Sequence, residues 1–219
     1  CSGAGVIIAQ SFGAGDHDEV NRQVHTALAL AIAGGAALTV IGLLISRPVL
    51  RLMQTPDEIV GMASEYLQIY FLGMIPQMIY NMGTNILRAV GDTKRPLYFL
   101  CLSSVMNIAL DLLFVVGFGM AIEGVAYATI ISQFISAALV LVVLSRSTEN
   151  YRLTWRDLRI DKGIFKQILM IGLPTGFQQS LTSFSNVYVQ SYINTFGSSC
   201  MAGWSSYSKI DQFVFLPMQ

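Results

Sequence analysis

The chain has 219 residues, of which 53% are hydrophobic and 12% charged, and its 13 Lys+Arg balance its 13 Asp+Glu. Soluble domains carry about 25% charged residues, so this composition points to a membrane protein, and a net charge of zero supplies no basic face for nucleic acid. Cys1, Cys101 and Cys200 are too few and too scattered for a disulfide framework, no Cys/His spacing suggests zinc, and no signal peptide opens the sequence.

A membrane-spanning helix needs roughly 20 mostly apolar residues to cross about 30 Å of hydrocarbon. In chain order the complete candidates are Ala27–Ile45, Tyr66–Leu87, Leu97–Phe118, Ile122–Leu144 and about Ile168–Phe196. Partial runs flank them, Cys1 to about Phe12 and about Ser199 onward, as expected of an internal piece of a longer protein. The runs are apolar nearly all round and rich in Gly, Ser and Thr, which suits close helix packing in lipid; the alternating ten-residue strands of a β-barrel are missing. The fold class expected is therefore an all-α polytopic transmembrane bundle.

Basic residues near helix ends mark the cytoplasmic side. The loops at 13–26, 88–96 and 145–166 hold ten Lys and Arg, against only Arg47 and Arg51 in the intervening loops, so the first set is expected to be cytoplasmic. The stretch 145–166 (SRSTENYRLTWRDLRIDKGIFK) is the longest polar segment. It reads as a solvated linker with a surface helix between two halves, 1–144 and 167–219, and its cations could also meet anionic lipid headgroups. His17 and His25, beside Asp16, Asp18 and Glu19, read as solvated loop residues. Lys209 and Asp211 are two apart and do not share a helix face; either missing helices or an interface could pair them.

An ionisable residue at the bilayer centre costs about 2.5–3.5 kcal/mol on insertion scales, so each one demands a reason. Asp111 sits well inside an apolar run, and Asn107 precedes it by four positions, on the same helix face. With a tight turn centred near Met120, Asp111 matches Thr129 in depth and Asn107 matches Gln133. Carboxylate, amide and hydroxyl oxygens at one level suit Na⁺, and an uncompensated carboxylate in low dielectric would alternatively take up a proton. The plainer reading is a set of interhelical hydrogen bonds. Pro76 and Pro174 fall inside predicted helices and should kink them, as static bends or as gating elements beside a cavity. The helix after Pro174 is polar without charge through Gln178, Gln179, Ser180, Thr182, Ser183, Ser185, Asn186, Gln190 and Asn194. It is expected to border water, with Phe177, Phe184, Tyr188 and Tyr192 serving as an aromatic binding surface or as core.

The segments IAQSFGAGD, YLQIYFLGMIPQMIYN, ILRAVGDTKRPL, NIALDLLFVVGFGMAIEGVAYATIISQ and IGLPTGFQQS, in this order, resemble the multidrug and toxic compound extrusion (MATE) transporters over nearly the whole chain. The resemblance implies two six-helix lobes. This chain would run from the end of the second helix to the sixth (1–144), through the cytoplasmic linker (145–166), into the seventh and part of the eighth (167–219). In the DinF-like branch, an amino-lobe cation site joins a first-helix Asp, which would lie upstream of Cys1, to Asn107, Asp111 and Thr129. The NorM-like branch has an acidic residue about eight positions after the Pro of the GLP motif, and here that position is Thr182, which favours the DinF-like pattern.

The function implied is antiport, export of amphipathic, often cationic organic compounds driven by inward Na⁺ or H⁺, by a monomer spanning the plasma membrane many times (the inner membrane in a bacterium). No cofactor is expected, and the coupling ion is left open between Na⁺ and H⁺. Gln133, Gln178, Gln179, Thr182, Asn186 and Tyr188 are candidates to line the substrate cavity. A lipid-linked oligosaccharide flippase of the same superfamily is the alternative, although the complete helices hold no cations to meet pyrophosphate. An intramembrane enzyme would need a second acid, a base or a metal motif near Asp111, and the sequence has none there.

Overall fold

The structure is a computed structural model that describes residues 2–52, 57–120, 122–147, 151–154, 158–194 and 204. The described elements are helices throughout: α1 (Ser2–Gly13), α2 (His17–Leu52), α3 (Asp57–Leu72), α4 (Met74–Ala89), α5 (Lys94–Leu112), a π-helical turn (Leu113–Gly117), α6 (Ile122–Arg146) and α7 (Lys162–Asn194). Three of them, within α2, α5 with its π turn, and α6, are long and apolar enough to cross a membrane. The expected run beyond Ser199, with Lys209 and Asp211, lies outside the described residues apart from Trp204.

The chain divides into two compact units, 1–172 and 173–219, with the boundary inside α7. In the first unit, α2, α4 and α6 pack around a core that includes Ile8, Val20, Val24, Leu28, Ile86, Leu87, Val140 and Leu144, all 0% exposed. Small residues let the helices approach. Gly35 and Gly42 of α2 leave no room for a Cβ against Ile75 and Phe71, and between them the Thr39 hydroxyl donates to the Phe71 carbonyl at 2.8 Å. Such small-residue stripes replace the hydrophobic drive that lipid cannot supply. Leu97, Val105, Ile108 and Leu112 of α5 are each more than half exposed, as suits side chains solvated by acyl tails.

Two short connections share one construction. After α1, Gly15 adopts φ +74° and the Asp16 N–H donates to Ser11 O, five residues back; Asp16 Oδ1 then accepts the Glu19 N–H in the first turn of α2. After α4, Gly91 adopts φ +87°, the Asp92 N–H donates to Leu87 O, and Asp92 Oδ1 accepts the Arg95 N–H. In each, Gly closes one helix in the left-handed region and the next Asp satisfies orphan donors of the following helix.

Three sequence expectations are corrected. The segment 13–26 is not a loop: α2 begins at His17, and His25 is a buried helical residue, 3% exposed, while His17 is exposed. The described residues of 145–166 do not form a solvated linker with a surface helix. α6 runs through Arg146, α7 starts at Lys162, and the described residues between lie unhelical against α2, with Tyr151 and Leu153 buried in the core. The reason is hydrogen bonding. His25 Nδ1 donates to Asn21 O (2.7 Å), which leaves Nε2 to accept the Thr154 N–H (3.0 Å), and Thr26 Oγ1 donates to Arg159 O (3.2 Å). Arg22 pairs with Asp161 at 2.6 Å, and Asp161 caps α7 through the N–H groups of Gly163 and Ile164. Finally, the run Tyr66–Leu87 is two helices, α3 and α4, broken at Gly73.

Candidate functional site

The site is built where α5 and α6, antiparallel neighbours joined by a tight turn, bring their polar residues together. Asp111 is half-buried near the end of α5, and its Oδ1 is fully shielded with no hydrogen-bond partner. Shielding a carboxylate oxygen without a donor is costly, and an apolar helix offers no second ligand from its own backbone. Asn107, one turn earlier, donates from Nδ2 to Ser132 Oγ at 3.5 Å. Its depth-matched partner from the sequence is Gln133; the observed bond goes one position away. Thr129 makes no hydrogen bond to Asp111; its hydroxyl donates back along α6 to Val125 O at 2.8 Å.

Every hydroxyl on this stretch of α6 spends its proton on its own helix. Ser132 Oγ donates to Thr129 O (2.8 Å) and Ser136 Oγ to Ser132 O (2.7 Å). The interface therefore holds a shielded carboxylate oxygen without a hydrogen-bond partner, one turn from an Asn107 amide engaged by α6. That is a donor set for a hard cation or a proton. The described residues contain no group of three or more His, Cys, Asp and Glu able to hold a metal, so a transition-metal centre is not indicated among them.

Gln133 occupies a different niche. Its Oε1 lies 2.7 Å from where a Cβ on Gly73 would stand, so the missing side chain at the α3–α4 break makes room for it. Pro76 is buried three residues beyond the break and has no N–H to offer the Leu72 carbonyl, while the Gly73 N–H turns back to Tyr70 O at 3.0 Å. The kink expected from Pro76 is thus placed at Gly73. Pro174 sits inside α7, which continues as helix through it. In the second unit, Gln178, Gln179, Thr182, Asn186 and Tyr188 are all exposed along α7, and Thr182 donates back to Gln178 O at 3.0 Å.

Sequence reasoning missed Ser132, Gly73 and the π turn after Asp111. Ser132 was within reach of the depth argument, being adjacent to Gln133 and three residues from Thr129. The π turn, closed by the Phe118 N–H on Leu113 O at 3.1 Å, has no sequence signal beyond Gly117 and Gly119. A cavity of about 430 Å³ lies elsewhere, lined by Asn21, Arg22, His25, Thr26, Arg159 and Asp161. Its buried polar atoms already bind the docked segment, so it is a gap beneath that segment and carries no chemistry of its own.

Comparison with known proteins decides the family. The MatE family model matches residues 1–113. The chain belongs to the MATE family. MATE members are transporters and integral membrane proteins, in keeping with the apolar spans found here. The chain is 34% identical over 224 residues to the probable multidrug resistance protein YoeA of Bacillus subtilis (strain 168), covering 99% of this chain and 48% of that protein. Among solved structures it resembles an outward-facing multidrug resistance MATE transporter (TM-score 0.88, 28% identity, 99% of this chain and 48% of that one). It also resembles an inward-facing one (TM-score 0.80, 28% identity, 98% and 49%). The chain spans about half the length of the curated relatives it matches.

Proposed function

We propose that this chain supplies the amino-lobe ion site of a plasma-membrane antiporter that exports amphipathic, often cationic organic compounds in exchange for Na⁺ or H⁺. The observation that carries the proposal is the shielded Oδ1 of Asp111, which has no hydrogen-bond partner one turn from an Asn107 amide already engaged by Ser132. In this reading Asp111, with Asn107 and Thr129, takes up the coupling ion. Gln133, Gln178, Gln179, Thr182, Asn186 and Tyr188 contribute to the substrate path, and Pro174 and the Gly73–Pro76 break act as hinges. The names of relatives such as YoeA support the substrate class.

Mechanistically, a bare carboxylate between apolar helices is stable only where water or a donor reaches it. Uptake of Na⁺ or H⁺ removes that requirement, lowers the cost of a water-excluded packing and shifts the population toward it. The ion can shift that equilibrium only by its differential affinity for the two packings, so the coupling depends on Asp111 being shielded in one and hydrated in the other.

The test reconstitutes the full-length protein in sealed vesicles and follows ethidium movement while a Na⁺ gradient or a pH gradient is imposed separately. Movement driven by one gradient supports antiport and identifies the ion. No movement under either gradient would overturn the proposal and favour lipid-linked cargo.

A further inference from the structure

We infer that Ser132 is a positioning residue that fixes which end of the Asn107 amide faces the ion site; the inference rests on the proposed coupling role of Asp111 and Asn107. Ser132, on α6, is 3% exposed and meets Asn107 of α5. Its Oγ lies 2.8 Å from Thr129 O, and a carbonyl can only accept, so the single hydroxyl proton of Ser132 is committed there. Toward Asn107 the hydroxyl can then only accept. The 3.5 Å contact is consequently made by the Asn107 NH₂ group, and the amide oxygen is turned away from Ser132.

The consequence for the site follows from helix geometry. Asn107 and Asp111 are one turn apart on one face, so an amide free to rotate could place its own N–H on the Asp111 carboxylate. That internal donor would satisfy the shielded Oδ1 and compete with the ion. The Asn107 amide has two N–H groups; its nitrogen is engaged by Ser132 and makes no hydrogen bond to Asp111 Oδ1, which stays without a donor. Ser132 thus keeps the Asn107 nitrogen from the Asp111 carboxylate.

The experiment measures ion dependence of ethidium efflux by the full-length protein in vesicles, titrating Na⁺ at fixed pH and pH without Na⁺, for wild type, Ser132→Ala, Ser132→Cys, Ser132→Thr and Asp111→Asn. Losing one net hydrogen bond and gaining a competing donor should raise the half-saturating concentration of the driving ion roughly three- to tenfold in Ser132→Ala. The maximal rate and the ethidium KM should stay near wild type. Ser132→Thr, which keeps the hydroxyl, should restore wild-type ion dependence. Should Ser132→Ala fail to accumulate, Ser132→Cys, close in volume and a weaker acceptor, is expected to show the same direction of shift. An unchanged ion dependence in both variants, with coupling lost in Asp111→Asn, overturns the role of Ser132 and leaves that of Asp111 standing. Ion-driven efflux retained in Asp111→Asn, or absent from wild type, overturns the site itself.

Discussion

Two adjacent glycines of α2 should respond oppositely to the same change. A Cβ on Gly35 would stand 2.9 Å from the Cα of Ile75, 0.5 Å short of the 3.4 Å at which ordinary contact begins, whereas a Cβ on Gly34 meets nothing within 4 Å. Because the obstacle at Gly35 is backbone, no rotamer change relieves it; α2 and α4 must move apart just before Pro76. Overpacking of this kind costs about 1–3 kcal/mol. Both Gly→Ala changes gain up to about 1 kcal/mol of helix propensity, so the difference between the variants isolates the steric cost. At roughly 2–4 °C per kcal/mol for chains of 150–250 residues, and about half that for a chain twice as long, Gly35→Ala should melt roughly 1–6 °C below Gly34→Ala in the full-length protein. Gly34→Ala should melt at or above wild type. The assay is thermal unfolding of the purified full-length protein in one detergent. Equal melting temperatures for the two variants would refute the α2–α4 approach described here.

Further outcomes concern the docked segment and the helix break. His25→Phe removes the acceptor of the Thr154 N–H and the donor to Asn21 O; an unsatisfied buried group costs about 1–3 kcal/mol, so tryptic cleavage after Arg152 in the native protein should accelerate about 5- to 150-fold. An unchanged cleavage rate would contradict the docking. The Arg22 guanidinium, followed by the Ile164 and Gly163 N–H groups, holds the Asp161 carboxyl below the usual carboxylate range. A depressed folded-state value contributes stability that is fully present above the ordinary carboxylate range and is lost as pH falls through the lowered one. Protection of the α7 start in hydrogen exchange should therefore decline on acidification through that window, and Asp161→Asn, which removes the charge paired with Arg22, should lower that protection and abolish its pH dependence. Gly73→Ala should displace Gln133 Oε1, 2.7 Å from the new Cβ, and lower the ethidium efflux rate more than Pro76→Ala does; equal efflux rates in the two variants and wild type would remove Gly73 as the hinge.

Much of the fold was legible because lipid imposes a long apolar period on each spanning helix, and the pairing of α5 with α6 followed from a short turn and arithmetic on depth. That arithmetic erred by one position, because side-chain length and the π turn after Asp111 shift where an amide can reach; Ser132 takes the place expected for Gln133. The start of α2 was legible in hindsight. Val20 and Val24 continue the buried apolar face of Ala27, Leu28 and Ala31 upstream of the membrane run, and Asp16 with Glu19 marks a helix start, but the surrounding charge made the stretch read as loop. The docking of 151–154 and 158–161 has no periodicity to announce it, since unhelical residues bonding to side chains of α2 leave no pattern in sequence. The break at Gly73 shows the same limit: Pro76 signalled an irregularity, and packing against Gln133 decided where it fell.

The central claim is that Asp111 is the charge through which the ion drives transport, and Asp111→Asn tests it by separating exchange from coupling. In vesicles of the full-length protein, ethidium counterflow without any gradient should persist in the variant, since the neutral amide stands in for the ion-loaded carboxylate. Stimulation of efflux by the Na⁺ or pH gradient that drives the wild type should vanish. Gradient-driven efflux that survives in Asp111→Asn would contradict the account.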